Sequence, residues 1–153
     1  MKLSSLTNQD CSKAAVLFNS KKRILEFISE LAHQQLPHLS QQDILDALLN
    51  REKLGSTGIG RGIAIPHGRM SGADEPHAFV IVSESPINFD AIDNRPVDIF
   101  VALIVPDGDC QLHLKTLSTI ADRLKDKEFC KQLRSATTQL FTKFFIFKSI
   151  SNC

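Results

Sequence analysis

The sequence predicts an α/β domain in which helices pack on one β-sheet. Three observations carry that expectation. Segments 21–34 and 41–54 repeat apolar residues at helical spacing. His77–Ser83 is a β-branched run, and Asp98–Val105 is apolar throughout, as expected of a strand covered on both faces. Helical and strand segments alternate along the chain. The 153 residues suffice for one domain with one sizeable core.

Residues 1–18 are mixed and give no clear period. Asn19-Ser20 can cap a helix whose stripe is Ile24, Leu25, Ile28, Leu31 and Ala32. Its first turn, Lys21-Lys22-Arg23, opposes the helix dipole and reads as a solvated basic end or a binding patch. Pro37 breaks the pattern. Ser40 with Asp43 resembles a capping box, and Ile44, Leu45, Leu48 and Leu49 form a second stripe. Gly55 suits the position just past a helix end near Leu54, which places Arg51 in the last turn. Gly55–Gly68 reads as a loop with short extended pieces. After the two strands, helices are expected at 111–125, 127–135 and 139–147.

Composition excludes several functions. Hydrophobic residues make up 42% and charged residues 23%, a soluble balance. Lys+Arg total 18 against Asp+Glu 17, so no charge surplus argues for a nucleic-acid or membrane-surface partner. The longest apolar run, Ile99–Val105, falls short of the roughly 20 residues a membrane span needs. Ala14–Phe18, flanked by Asp10 and Lys13, makes a poor secretory signal. The four cysteines, at 11, 110, 130 and 153, form no CxxC pair, which fits a reducing cytoplasm. Cys110-x-x-His113 has metal-ligand spacing, but no second pair completes a tetrahedral site. No metal and no cofactor are expected.

The informative segment is Gly55–Gly68, GSTGIGRGIAIPHG. Gly55 and Gly60 have Walker A spacing, but Arg61-Gly62 follows where Lys-Ser/Thr is required. A dinucleotide fingerprint would need glycine at 63, which is isoleucine. What remains is a histidine, His67, held between Pro66 and Gly68 and suited to rigid presentation on a flat, solvent-open surface. A free imidazole is largely neutral near pH 7 and is a competent nucleophile. The residues alone also allow a turn histidine that caps a backbone carbonyl.

The blocks LNREKLGSTGIGRGIAIPHGR, FDAIDNRPVDIFVALIVP and HLKTLSTIADRLKDKEFCKQLR resemble the IIA component of the bacterial phosphoenolpyruvate phosphotransferase system. The resemblance is to the fructose/mannitol-type superfamily, and FDAIDN.PVD tilts it to the nitrogen-regulatory branch. It covers roughly residues 2–136 and implies a single domain with a central mixed β-sheet flanked by helices on both faces. It implies that His67 accepts a phosphoryl group on its tele nitrogen from a phosphorylated HPr-like carrier. Regulatory proteins, or a IIB domain in a fructose-type alternative, then read or receive the phosphate; a non-catalytic interaction module is the third possibility. Arg51 resembles the arginine beside the active histidine, and His113 the family's second histidine. Arg51 can offer a fixed fork of donors, or merely complement a helix dipole. His113, near a helix start, can donate one N–H to phosphoryl oxygens, or be a buried structural histidine on the face of Leu117, Ile120 and Leu124. Ser56 and Thr57 are turn hydroxyls by default and phosphate donors second. The family usually ends in an acidic amphipathic helix. Residues 137–153, TTQLFTKFFIFKSISNC, depart from that pattern as a divergent segment.

Overall fold

A computed structural model describes residues 6–7 and 11–135. Its centre is β6 (Val97–Pro106), which is apolar on both faces because both faces are covered. Phe100, Ala102 and Ile104 enter one core, and Ile99, Val101, Leu103 and Val105 enter the other. β5 (His77–Ile87) lies antiparallel beside it, with Ala78 opposite Leu103 and Val82 opposite Ile99. It divides in the same way: Phe79 and Ile81 to the first core, Ala78, Val80 and Val82 to the second.

On the other side of β6 run two short parallel strands in succession. β3 (Ile63–Ala64) pairs with its first half and β4 (His67–Met70) with its second, His67 lying opposite Leu103. β2 (Gly58–Gly60) pairs antiparallel with β3, and β1 (Ser12–Val16) pairs parallel with β5. The sheet is therefore mixed, as expected.

Helices α1 (Lys21–Gln35) and α2 (Gln41–Lys53) bury Ile24, Leu25, Ile28, Ile44 and Leu48 in the first core. α3 (Cys110–Leu124) and α4 (Lys127–Ser135) bury Ile120, Leu124, Phe129 and Leu133 in the second. The caps follow the sequence: Ser20 Oγ accepts from Arg23 N at 3.2 Å, and Ser40 Oγ from Asp43 N at 3.0 Å. The basic first turn of α1 is tied down in part, since Lys21 pairs with Glu52 at 2.8 Å and Arg23 pairs with Glu26. Among the described residues no helix is long and apolar enough to cross a membrane.

β1 is an element the local pattern does not reveal. It sits at the sheet edge, and its pairing is set by β5, distant in sequence. β5 also runs past Ser83 to Ile87, with a register shift after Val82. The helix expected at 139–147 and the divergent segment 137–153 lie outside the described residues.

Candidate active site

The site is assembled where α2 crosses β4. A Cβ on Gly68 would stand 2.9 Å from Ala47 Cβ, so glycine there lets the helix lie directly on the strand. Arg51, one turn beyond Ala47 on the same helix face, is carried to the neighbouring strand residue. Its Nε–H donates to His67 Nε2 at 3.2 Å, and its Nη1 donates to the Gly55 carbonyl at 2.9 Å. One guanidinium thus spans the histidine and the loop that follows α2.

The His67 ring is fixed on its other side. Nδ1 lies 2.8 Å from the Ile65 carbonyl, and a carbonyl only accepts, so the proton sits on Nδ1. That leaves a lone pair on Nε2, the nitrogen facing Arg51. Because His67 shares its register with Leu103, it faces the α3 side of the sheet. There His113, in the first turns of α3, brings its ring centroid to 5.3 Å from that of His67, tilted by 47°. His113 Nδ1 is buried without a hydrogen-bond partner.

His67 does not stand open to solvent on a flat surface as expected from sequence. It is only 8% exposed, recessed in a cleft of about 290 Å³ lined by Arg51, Thr57, Ile65 and Leu117 among others. The reason is its place on a strand covered by α3 rather than on a free loop. Burial is the chief cause that holds its pKa below the ordinary 6.5; the bond to Ile65 opposes this, and the Arg51 charge adds to the lowering. The His113 pKa is also lowered, first by burial, then by His67, Arg69 and Arg51. Both rings are therefore neutral at pH 7, His67 with a nucleophilic nitrogen.

A family model for the phosphoenolpyruvate-dependent sugar phosphotransferase system, EIIA 2, matches residues 5–145. The chain belongs to this EIIA family. It is 53% identical over 137 residues to a nitrogen regulatory protein of Klebsiella oxytoca, covering 89% of this chain and 84% of that one. The crystal structure of the nitrogen regulatory protein IIA-Ntr from Neisseria meningitidis superposes with a TM-score of 0.85 at 31% identity, covering 94% of this chain and 98% of that one. The fold is shared more widely: IIA mannitol from Escherichia coli gives a TM-score of 0.72 at 16% identity, over 90% of this chain and 96% of that one. Within the EIIA family the similarity thus runs to the nitrogen-regulatory branch.

In this EIIA chain Arg51, His67 and His113 come together, although 62 positions separate the first from the last (113 minus 51). Ser56 and Thr57 border the same cleft, but their hydroxyl protons are engaged. Ser56 Oγ donates to the Phe89 carbonyl at 2.8 Å, and the Thr57 hydroxyl donates to Glu52 Oε1. The Thr57 amide donates to the same carboxylate oxygen at 3.0 Å.

Two residues of the site escaped the sequence reading. Glu52, whose side chain is 6% exposed, anchors Thr57 and binds Lys21. An acid in the last turn of a helix opposes the dipole, and that was the available signal. Arg69 shares the strand face of His67, two residues on, and its charge acts on both histidines. Its Nη1 also reaches Cys110 Sγ at 3.4 Å.

Proposed function

We propose that this EIIA protein accepts a phosphoryl group on Nε2 of His67 from a phosphorylated HPr-like carrier, and that its phosphorylation state is read by regulatory proteins or passed to a IIB domain. The observation that carries this reading is the one-sided fixing of His67: Nδ1–H is bound to Ile65, while the Nε2 lone pair meets the Arg51 donor.

The Nε2 lone pair attacks phosphorus. The P–N bond to the donor's histidine breaks, and its electron pair returns to the donor ring. The Nδ1 proton stays on His67, held by the Ile65 carbonyl, so the adduct ring is an imidazolium and a good leaving group. Transfer is therefore reversible. Arg51 moves its Nε–H from the lone pair to a phosphoryl oxygen, and the guanidinium fork suits that charge. His113 supplies a second donor through its buried, unpartnered nitrogen, and Arg69 adds positive charge. Ser56 and Thr57 shape the loop through their bonds to Phe89 and Glu52.

A protein donor also fits the surroundings. Leu54, Ile59 and Leu114 are exposed and follow or line the site, an apolar surface for docking. A charge of about −2 placed on such a surface changes which partners it holds.

Incubation with the general phosphotransferase proteins and phosphoenolpyruvate should yield one acid-labile, alkali-stable phosphoryl group, absent from His67→Ala. A wild-type chain left unmodified by active donor proteins would instead support a pure interaction module.

A further inference from the structure

At the other end of α3 from His113 lies a second cleft, of about 460 Å³, which the phosphoryl chemistry does not use. Eleven residues of helix, roughly 16 Å, separate His113 from Leu124 in its wall. Four cations border it: Arg61, Arg95, Lys127 and Arg134. A single carboxylate, Asp98, faces them, and Arg134 Nε already holds both its oxygens at 2.9 Å. Two acids lie just outside the lining: Asp126 pairs with Arg123 at 3.2 Å, and Asp93 is engaged by main chain, its Oδ2 accepting from Arg61 N at 2.9 Å and its Oδ1 from Arg95 N at 3.1 Å. Asp93 thus positions the main chain of both arginines, and its charge also acts on Arg95. Among the described residues Arg61, Arg95 and Lys127 make no ion pair.

The backbone supports the same reading independently. Arg61 has φ +59° between Gly60 at +98° and Gly62 at +79°, a left-handed turn in which only the middle residue carries a side chain. Glycine would fit Arg61's conformation more easily than arginine does. Its carbonyl is clamped by Arg134 Nη2 at 2.7 Å. A Cβ on Gly62 would stand 2.6 Å from that same nitrogen, so the turn is closed tightly on the Arg134–Asp98 pair. The exposed Pro86 and Pro96 supply apolar surface to its wall, while Ile63 and Leu124 border it but are each only 1% exposed.

From the convergence of these cations on one cleft with exposed prolines on its wall, we infer that the cleft between the 61–62 turn and α4 binds a small organic di- or triphosphate of nucleotide size. Guanidinium groups recognise the phosphates, and Pro86 and Pro96 receive the organic part. The site is separate from His67.

The test is calorimetric titration of the full chain with ATP in the absence of divalent metal, and with inorganic pyrophosphate. ATP should bind saturably at one site and more tightly than pyrophosphate, weakening as salt rises. Arg61→Gly keeps the left-handed turn and Lys127→Gln keeps the helix, so both should fold. Each should weaken ATP binding about five- to tenfold, while His67→Ala leaves it unchanged. Amide shifts should cluster at Gly62, Leu124 and Lys127. Absence of saturation at millimolar ATP overturns the inference, as does equal affinity in both variants or loss of binding in His67→Ala. Equal affinity for pyrophosphate overturns the organic part of the assignment. Phosphorylation of His67 in Arg61→Gly should match wild type, which keeps a failure here distinct from a failure of the carrier reading.

Discussion

Replacing Arg51 by alanine removes two contacts at once, the donor to His67 Nε2 and the tie to the Gly55 carbonyl. The first acts on chemistry. A hydrogen bond from a charged group contributes about 1.5–3 kcal/mol, and a factor of ten in rate corresponds to about 1.4 kcal/mol. Transfer from a phosphorylated carrier, followed by rapid quench, should therefore slow roughly ten- to 150-fold. The second contact acts on stability and is worth about 1 kcal/mol, a fall of roughly 2–4 °C in Tm. Arg51→Lys keeps the charge and loses the fork, so its rate should fall between the two. A separate readout is the His67 titration by NMR. Arg51 holds that pKa down, so its removal should move it up toward 6.5. Transfer at the wild-type rate in Arg51→Ala, with the His67 titration unmoved, would remove Arg51 from the site.

The other expectations follow from neighbouring contacts. Gly68→Ala forces a Cβ to 2.9 Å from Ala47 Cβ, so α2 must shift from β4; urea unfolding should show a loss of about 1–3 kcal/mol, with slower transfer as Arg51 moves. Glu52→Ala leaves the Thr57 amide without its partner and Lys21 with only the 3.7 Å pair to Asp90, and should cost about 1–3 kcal/mol by the same measurement. The lowered pKa of both histidines fixes a pH dependence with a definite sign. Below about 6.5 the unfolded chain binds protons that the folded rings still refuse, so stability falls with pH from there down to the folded pKa values. Because His67 stays neutral in that window, the transfer rate should hold level through pH 6.5 and drop only at lower pH. His67→Gln should unfold less readily on acidification than wild type over the same range.

The helices were legible because their signals are local. The stripes Ile24–Ala32 and Ile44–Leu49, with caps at Ser20 and Ser40, depend only on spacing, and α1 and α2 begin where those caps place them. β6 was legible from its unbroken apolar run. β1 was not, because Ser12 and Lys13 carry no alternation and the strand exists through its register with Val80 and Ile81. The same contrast runs through the site. His67 stood out through its proline and glycine neighbours, and Arg51 and His113 through a resemblance, but their meeting is tertiary: α2 lies close on β4 because Gly68 presents no side chain to Ala47, and α3 returns over His67 from the end of β6 beside β4. The recess of the ring could not be read from a loop-like sequence whose last residues become a short strand paired with β6. Glu52 and Arg69 acquire their roles from partners that spacing does not bring to mind, Lys21 on α1 and Cys110 on α3.

One nitrogen atom, Nε2 of His67, carries the proposed chemistry. Long-range proton–nitrogen NMR on labelled chain, before and after treatment with phosphoenolpyruvate and the donor proteins, observes it directly. Free His67 should carry its proton on Nδ1, and after treatment Nε2 should show coupling to phosphorus while Nδ1 keeps its proton. A free ring protonated on Nε2, or phosphorus bound to Nδ1 or to a different residue, would contradict the account.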